Sequence, residues 1–402
     1  MLIVARKNLF SERTRLAISV GGIALAVFLI GVLLSLYRGW ENKVGGFVED
    51  SNVDVWIANE GAKDFLAAAS LLPYDPSLGV DPCQQQIQAA LQDPNRRSQA
   101  QKFPVQDIRE CRPLIVRQME GLKVEIQSGG EEKILKKMNL QFVGYDAGTQ
   151  LGGPLRIVEG STDAPKDNEV VVDEALGKRY GVQVGDTLKA GGRDWNVIAK
   201  SGGGDFVAAQ TVFVSLDAAA DALGFNDAKK TTFYVIRLKD GIDAKAFADG
   251  VDIPGVHALD RSAFASNTKD RILSNVLPIL AVVLLLAFIV GLSVAGLTIY
   301  TATVEKSREY GILKAVGFRN SYLYRAVLEQ SIVTGFLGFV IGIGLMLIIG
   351  PFAADVVPQF VIFTRWQDVL AVAGATLVMA GVAAYIPVRR LASIDPVAVF
   401  KA

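Results

Sequence analysis

Few residues in this chain have the type and spacing that catalysis requires. A phosphate-binding loop needs the pattern GxxxxGK[ST], and the nearest glycine-rich stretch, SGGGD at 201–205, lacks the lysine and the strand-to-helix context. The one histidine, His257, has no cluster of cysteine or carboxylate residues around it, and no GxSxG pattern presents a serine nucleophile. We therefore predict no catalytic site and no metal site, a flexible loop at 201–205, and a surface position for His257.

A second stretch, EKSREYGILKAVGFRN at 305–320, has the features of a binding element. It is dense in charge, whereas the sequence on both sides is apolar. Gly311 and Gly317 bracket ILKAV, which is long enough for about one and a half turns of helix. Ile312 and Val316 would lie one turn apart on the same side of that helix.

Two interpretations of this stretch follow from the residues alone. A short helix with two different faces at a membrane surface can bind in a groove of a soluble partner; the alternative is a capped loop that only follows the charge rule for membrane proteins. Glu305 and Arg308, three residues apart, are placed to form an ion pair across one turn.

The composition indicates a membrane protein. Of 402 residues, 51% are hydrophobic and 20% are charged, which is too apolar for an ordinary soluble chain of this length. The 41 basic and 41 acidic residues balance to a net charge of zero, so no overall charge indicates a nucleic-acid partner.

Four segments have the length of about 20 apolar residues that crosses a bilayer. We predict transmembrane helices at residues 16–37, 271–303, 327–350 and 369–387. The apolar part of the first exceeds that of a signal peptide, so we expect an uncleaved anchor. No Asp, Glu, Lys, Arg or His occurs between Leu16 and Leu36 or from Leu273 to Val304, which argues against an ion-coupled carrier or a cation channel. Gly338 and Gly342 form a GxxxG that permits close helix packing, with general flexibility as the alternative.

The lysine and arginine residues near the spans predict the orientation. They are Arg6, Lys7, Arg13, Arg15, Lys306, Arg308, Lys314, Arg319, Arg325, Arg389, Arg390 and Lys401, whereas the loop at 351–368 contains only Arg365. This distribution places both termini, the loop at 304–326 and the tail at 388–402 in the cytoplasm, and residues 38–270 outside it. Residues 1–15 are predicted to form an amphipathic helix on the cytoplasmic membrane surface; a ragged basic flank is the alternative.

Both cysteines, Cys83 and Cys111, belong to the extracytoplasmic region, where thiols oxidise. We predict a disulfide between them; the alternative is two free thiols too far apart to bridge.

The region at 38–270 is predicted to be a large mixed α/β domain inserted between helices 1 and 2. Strand-like sequences occur at 53–58, 114–127 and 139–145. Residues 75–113, rich in proline, glutamine and aspartate, predict a surface excursion with a short helix near 84–91.

A β-rich subdomain is predicted at about 150–225. Its clearest part is EVVVDEALGKRYGVQVGDTLKAGGRDWNVIAK, which predicts a strand, a helix ending near Gly181 and two further strands. Gly191 and Gly192 join those two strands in a hairpin, since both turn positions need a positive φ.

Several motifs in order resemble those of the MacB/FtsX-type (type VII) ABC transporter permeases. ARKNLFSERTRLAISVGGIALAVFLI is similar to their entry segment and first span, and REYGILKAVGFRNSYLYRAVLEQSIVTGFLGFVIGIGL to their cytoplasmic loop and third span. PVRRLASIDPVAVF is similar to their C-terminal signature, and EVVVDEALGKRYGVQVGDTL to the small subdomain of their larger extracytoplasmic domains. The resemblance covers all four spans and part of the outer domain; residues 60–113 match nothing in it.

The resemblance implies a non-enzymatic permease subunit of the bacterial inner membrane that works as a dimer with an ATPase dimer. The second permease copy is identical or a close paralogue, membrane lipid surrounds it, and ATP and Mg belong to the separate ATPase subunits. A membrane-fusion adaptor is a further implied partner, and nucleic acid is not. The stretch at 305–320 matches the coupling helix that such an ATPase moves. The residues that match the family pattern are Glu305, Arg308, Glu309, Gly311, Leu313, Lys314 and Gly317.

Three functions are compatible with these features. The leading prediction is an ATP-driven exporter or extractor of a hydrophobic or amphipathic substrate, such as a lipid, lipopeptide, haem or drug. The second is a mechanotransmitting permease that activates an extracytoplasmic cell-wall hydrolase or sensor without transport; its relatives have smaller outer domains. The third is a membrane-anchored receptor or adhesin without an ATPase.

Overall fold

The structure is a computed structural model that describes residues 13–66, 70–74, 105–126, 132–203, 205–206, 209–225, 230–253, 255–316, 318–356 and 360–392. Cys83, Gly317, the helix predicted near 84–91, and most of 1–15 and 388–402 lie outside the described residues.

The described secondary structure combines long helices with many short strands. The helices are α1 (Arg13–Val44), α2 (Gly46–Asp50), α3 (Glu174–Tyr180), α4 (Leu216–Ala222), α5 (Ala244–Asp249), α6 (Arg261–Glu305), α7 (Ser307–Ala315), α8 (Asn320–Val356) and α9 (Trp366–Ala392). The strands are β1 (Val55–Asn59), β2 (Leu72–Pro73), β3 (Ile108–Ile126), β4 (Glu132–Tyr145), β5 (Arg156–Gly160), β6 (Glu169–Asp173), β7 (Thr187–Ala190), β8 (Arg193–Gly202), β9 (Asp205–Phe206), β10 (Ala209–Ser215), β11 (Lys230–Thr231), β12 (Phe233–Leu238) and β13 (Val256–Asp260).

The chain divides into two compact units. One, which we call the helical unit, consists of Met1–Gly39 and Asn275–Ala402; the other, the α/β unit, is Trp40–Ser274. The boundary between them falls inside α1 and inside α6, so each of these helices contributes to both units.

Four helices are long and apolar enough to cross a membrane, which confirms the predicted fold class. They extend over Thr14–Asp50, which includes α2, and over Arg261–Glu305, Asn320–Ala353 and Trp366–Arg389. The helices run past the predicted spans because hydropathy reports the apolar residues of a helix and not its polar continuation. α6 shows this most clearly: it begins at Arg261, and its first turns bury Phe264 and Ala265 in the α/β unit.

The core of the helical unit is built from small and branched apolar side chains of all four spans. Its buried residues include Ile23, Ala26, Val27, Ala295, Ile299, Leu323, Val327, Val372, Met379, Ala383 and Ala384. Ser331 adds a polar contact, because its Oγ donates to the carbonyl oxygen of Ala380 over 2.6 Å and so joins α8 to α9. Small side chains let the helices approach closely, as membrane helices require.

The α/β unit contains a sheet of eleven described strands, in the order β13-β1-β12-β3-β4-β10-β6-β8-β5, with β7 beside β3 and β8, and β9 beside β10. The long strand β3 joins its two halves, since β3 pairs with β12 at its beginning and with β4 and β7 further along. Alternate residues of β3 belong to different cores: Val116 packs in one cluster and Ile115 in the other. The middle of the sheet is therefore buried on both faces.

The β-rich part follows the sequence prediction closely. Asp173 ends β6 and accepts a hydrogen bond from the backbone N–H of Ala175, which caps α3, and α3 ends at Gly181 with φ of 68°. Gly191 and Gly192 have φ of 60° and 74° and join β7 to β8. The predicted hairpin is confirmed, and its two positive φ angles explain why both positions are glycine.

Two local predictions were wrong. Residues 108–113 belong to β3 and not to a surface excursion, because they pair with β12 and bury Cys111 completely. The stretch at 201–205 is not simply a loop: Ser201 is fully buried at the end of β8, and Asp205 begins β9. The first misplacement arises because β3 pairs with β12 across a long sequence separation, which local composition does not report.

Candidate functional site

The helix α7 lies between two spans and begins earlier than the sequence predicted. α6 ends at Glu305, Lys306 leaves helical geometry at φ −88° and ψ 9°, and α7 then runs from Ser307 to Ala315. Gly311 lies inside this helix and is buried, and does not mark its beginning. A single glycine costs a helix only about 1 kcal/mol relative to alanine, so it does not by itself end one.

One face of α7 is exposed and has an apolar centre. Ile312 is 44% exposed, and Val316, the residue that caps the C-terminal end of α7, is 74% exposed. Ala315, between them in sequence, is also exposed. Arg308 and Glu309, one turn earlier on the same face, are also exposed. We call these five residues the α7 face. Charged residues beside an apolar centre form the kind of surface that a soluble protein binds.

The opposite side of α7 packs against the helical unit. Tyr310 and Leu313 are half-buried against the core that contains Leu323 and Val327. Gly311 and Leu313 therefore face the bundle, whereas Arg308 and Glu309 face away from it. The predicted coupling set thus divides between the two sides of the helix; Lys314 is half-buried.

Glu305 has a different partner from the one its spacing indicated. Its carboxylate forms an ion pair with the guanidinium of Arg15, which lies at the beginning of α1. Arg308 forms no ion pair with the described residues, so the predicted Glu305–Arg308 pair is replaced by a contact between distant helices. The end of α6, next to α7, is in this way joined to α1.

Phe318 is a residue that the sequence prediction missed. Its backbone N–H donates to the carbonyl oxygen of Leu313 over 3.0 Å, and its ring lies 4.9 Å from that of Tyr322 at the beginning of α8. The side chain is 41% exposed. The sequence signal for including Phe318 in the site is its position: an aromatic residue directly after a short charged helix.

Gly338 and Gly342 contact α1 at a close helix crossing. A Cβ atom on Gly338 would lie 2.6 Å from Cγ2 of Ile23, and one on Gly342 would lie 2.7 Å from the carbonyl oxygen of Ala24. The second contact is to backbone, which cannot move aside as a flexible side chain can. α1 and α8 therefore approach as closely as they do because both positions lack a side chain.

Replacing Gly342 with leucine should push α8 away from α1 and destabilise the helical unit. Overpacking typically costs about 1–3 kcal/mol, and we expect the upper part of this range because backbone is contacted. Thermal unfolding in detergent measures the effect. Gly344→Leu is the matched control, since a Cβ at Gly344 has nothing within 4 Å. Equal stability of the two variants would contradict the proposed crossing.

A polar cluster lies at the end of the bundle away from α7, which we call the distal end. α8 leads away from α7, so the connection between α8 and α9 lies there. Nε of Arg38 lies 3.3 Å from both carboxylate oxygens of Asp368, and Asp368 is only 7% exposed. Oγ of Ser35 and Oγ1 of Thr364 are 3.0 Å apart. We call Ser35, Arg38, Thr364 and Asp368 the distal cluster.

Backbone contacts also join α1 to the segment before α9. The N–H of Phe363 donates to the carbonyl oxygen of Ser35 over 3.1 Å. Gly39 allows the carbonyl of Val361 to lie where a Cβ would clash with it. The distal end of α1 is thus held to the first turn of α9 by an ion pair, and to the segment before α9 by side-chain and backbone contacts. One signal in the sequence points to this cluster: Arg38 and Asp368 directly flank two predicted spans.

Cys111 and His257 lie in the α/β unit. Cys111 is fully buried in β3 and is disulfide-bonded. Because Cys83 lies outside the described residues, the pairing of Cys83 with Cys111 stays a prediction. His257, expected at the surface, is half-buried in β13, and its Nε2 has no hydrogen-bond partner among the described residues. Burial, with Lys63 adding to it and Glu60 opposing it, lowers the pKa of His257.

None of these features is a metal site. No group of three or more histidine, cysteine, aspartate or glutamate residues that could hold a metal ion occurs in the part of the chain that the structure describes.

The architecture defines a class of protein. Four membrane-spanning helices, a short two-faced helix between the second and third, and a large α/β unit after the first are the features of a four-span permease with an inserted domain.

The family follows from two sequence profiles. The MacB-like periplasmic core domain matches residues 16–252, more than half of the chain, and the FtsX-like permease C-terminal domain matches residues 280–396. The chain belongs to the MacB/FtsX-type ABC transporter permeases, which confirms the resemblance found in the sequence. It is an inner-membrane protein with a periplasmic-type α/β domain.

Individual relatives share part of the chain. The probable syringafactin export ATP-binding/permease protein SyfD of Pseudomonas syringae pv. tomato is 30% identical over 171 residues, covering 40% of this chain and 25% of that protein. The probable export ATP-binding/permease protein MacB of Pseudomonas entomophila is 30% identical over 170 residues, with the same two shares. The putative hemin transport system permease protein HrtB of Staphylococcus haemolyticus is 23% identical over 232 residues, covering 58% of this chain and 63% of that protein.

The chain therefore spans about a quarter of the length of the first two relatives. Among solved structures, the periplasmic region of MacB from Actinobacillus actinomycetemcomitans aligns with a TM-score of 0.31 and 10% identity, over 56% of this chain and 96% of that one.

Proposed function

We propose that this chain is the permease subunit of an ATP-driven exporter or extractor, and that α7 is its coupling helix. The observation that carries the proposal is the α7 face, an exposed apolar centre between charged residues on a helix whose other side packs into the bundle. A separate ATPase subunit, with ATP and Mg, binds this face. The names of SyfD and the MacB relative, which combine ATP-binding and permease, support such a partner.

Movement of α7 reaches the rest of the helical unit through named contacts. Tyr310 and Leu313 pack against the bundle core, and the ion pair of Glu305 with Arg15 joins the end of α6 to α1. α1 and α6 each continue as one helix from the helical unit into the α/β unit. ATP-driven movement of the helical unit is transmitted to the α/β unit through these two helices. Two permease copies with two ATPase copies form the working assembly.

The orientation of this assembly is part of the proposal. The charge pattern places α7 and both termini in the cytoplasm, where ATP is available, and the α/β unit on the other side.

The substrate we propose is hydrophobic or amphipathic: a lipid, lipopeptide, haem or drug. The relatives are named for syringafactin export and for hemin transport. The spans support this choice, because substrate charges have no ionisable partner in the middle of α1 or α6. A membrane-fusion adaptor on the α/β unit completes the path in an export assembly.

The test is ATP hydrolysis by the reconstituted assembly. The permease is purified with the ATPase that accompanies it from its own membrane, placed in vesicles, and assayed with a panel of lipids, lipopeptides, haem and drugs. We expect one amphipathic class to stimulate hydrolysis and to move out of the vesicle leaflet that contains it. A variant ATPase that binds ATP without hydrolysing it is the control and should show neither effect.

Other outcomes favour other functions. Stimulation only by an extracytoplasmic protein, with no movement of any amphiphile, would replace transport by mechanotransmission to a cell-wall hydrolase or sensor. Purification without any ATPase would favour a receptor or adhesin.

A further inference from the structure

We infer that Arg365, with the aromatic residues around it, binds the headgroup of an anionic phospholipid in the leaflet at the distal end of the bundle. This inference does not depend on transport, because it concerns only how the helical unit meets the membrane.

The guanidinium of Arg365 has no acidic partner among the residues that the structure describes. It is half-buried, and its Cζ lies 5.7 Å from the centre of the Phe363 ring, in a cation–π contact. No ion pair or side-chain hydrogen bond joins it to the described residues. The carboxylate nearest in sequence, Asp368, is held by Arg38. Within the described part of the chain, no carboxylate pairs with the Arg365 guanidinium, whose N–H groups are donors only.

The end of the bundle that contains Arg365 has the exposed aromatic residues of a lipid interface. Trp366 and Phe352 are each 69% exposed, and Phe363 is 41% exposed. They lie at the last turns of α8, in the connection and at the first residue of α9, where two spans end. Exposed aromatic rings at the ends of spans lie at the depth of lipid headgroups, with acyl chains beneath them.

The charge determines which lipid fits best. A guanidinium presents two parallel N–H donors that match two oxygens of a phosphate. A zwitterionic headgroup brings its own ammonium group, and the described side chains next to Arg365 offer no free carboxylate to receive it. An anionic phospholipid supplies the phosphate without that second charge. The acyl chains then pack against the exposed rings of Trp366 and Phe352.

Trp366 provides a reporter at this position. The chain has four tryptophans, and Trp56 and Trp195 are 0% and 1% exposed. Replacing Trp40 with phenylalanine in every protein tested leaves Trp366 as the tryptophan that lipid reaches. The full chain is reconstituted in vesicles with acyl-brominated phosphatidylglycerol or acyl-brominated phosphatidylcholine at equal mole fractions, since bromine quenches tryptophan on contact.

We expect quenching to show about fivefold preference for phosphatidylglycerol, the effect of one basic residue on an anionic lipid. Arg365→Gln should remove the preference, so that both lipids quench equally, and Arg365→Lys should keep much of the preference. Arg319→Gln, which removes an exposed arginine at the other end of the bundle, is the control and should leave it unchanged.

Three results would overturn the inference: equal quenching by both lipids in the parent protein, an unchanged preference in Arg365→Gln, or the same loss in Arg319→Gln. The unfolding temperature of each variant is measured in the same vesicles. A loss of preference in Arg365→Gln that comes with unfolding would be decided by Arg365→Lys, which keeps the charge and should restore both.

Discussion

Replacing Val316 with aspartate should abolish co-purification of the ATPase while the permease itself remains folded. Val316 is 74% exposed on the α7 face, so a carboxylate there is solvated in the free permease but is buried without a partner in the complex. Loss of an anchor at the centre of an interface typically costs about 2–4 kcal/mol, which corresponds to roughly 30- to 1,000-fold in affinity. Affinity purification of the permease, followed by ATPase activity of the eluate, measures the effect.

Two further variants make this result specific. Ile312→Asp changes the same face and should act in the same direction. Val158→Asp changes an apolar residue of β5 that is 52% exposed in the α/β unit, and should leave ATPase binding intact. If Val316→Asp retained the ATPase, α7 would not be the binding surface.

Leu313 should respond differently from Val316. Its side chain packs against the bundle core, so Leu313→Asp should lower the thermal stability of the helical unit as well as ATPase binding. Comparing Leu313→Asp with Val316→Asp therefore separates ATPase binding from packing of the helical unit. Loss of the ATPase in Leu313→Asp with unchanged stability would mean that Leu313 contacts the partner directly.

Much of the fold could be predicted because its signals are local. Four apolar runs predicted four spans, and Gly191 with Gly192 predicted the turn between β7 and β8. Features that depend on distant partners were missed. Ile108 to Pro113 read as an irregular segment, yet they form a strand because β12 pairs with them. Hydropathy predicted only the apolar span of α6, whereas the helix begins at Arg261, and packing of the Phe264 ring against that of Trp56, with centroids 4.7 Å apart, fixes its polar first turns.

In the candidate site, too, local features were predictable from the sequence and contacts with distant residues were not. Its position at 305–320 was predictable from charge between apolar runs, but its faces were not. Leu313 and Val316 are equally apolar in sequence, and only contact with the bundle separates them. Glu305 has Arg308 three residues away, but its partner is Arg15, in a different helix. The distal cluster brings Arg38 together with Asp368, far away in sequence, so no local spacing could show it.

Replacing Arg38 with methionine should destabilise the helical unit by about 3–5 kcal/mol, because it leaves the carboxylate of Asp368 buried without its partner. The reverse change, Asp368→Asn, should cost less. The side chain of Arg38 is 28% exposed and that of Asp368 is 9% exposed, so a released guanidinium reaches water more easily than a released carboxylate does. Thermal unfolding of each variant in the same detergent provides the comparison.

The double variant Arg38→Met with Asp368→Asn distinguishes an ion pair from two separate contributions. If the charges act on each other, the double variant should be more stable than Arg38→Met alone, because the unpaired buried charge is gone. If the two losses simply add, the pair contributes nothing and Ser35, Thr364 and the backbone contacts hold the distal end of α1. Since α1 continues into the α/β unit, a weakened distal cluster should also reduce substrate-stimulated ATP hydrolysis while the ATPase stays bound to the α7 face.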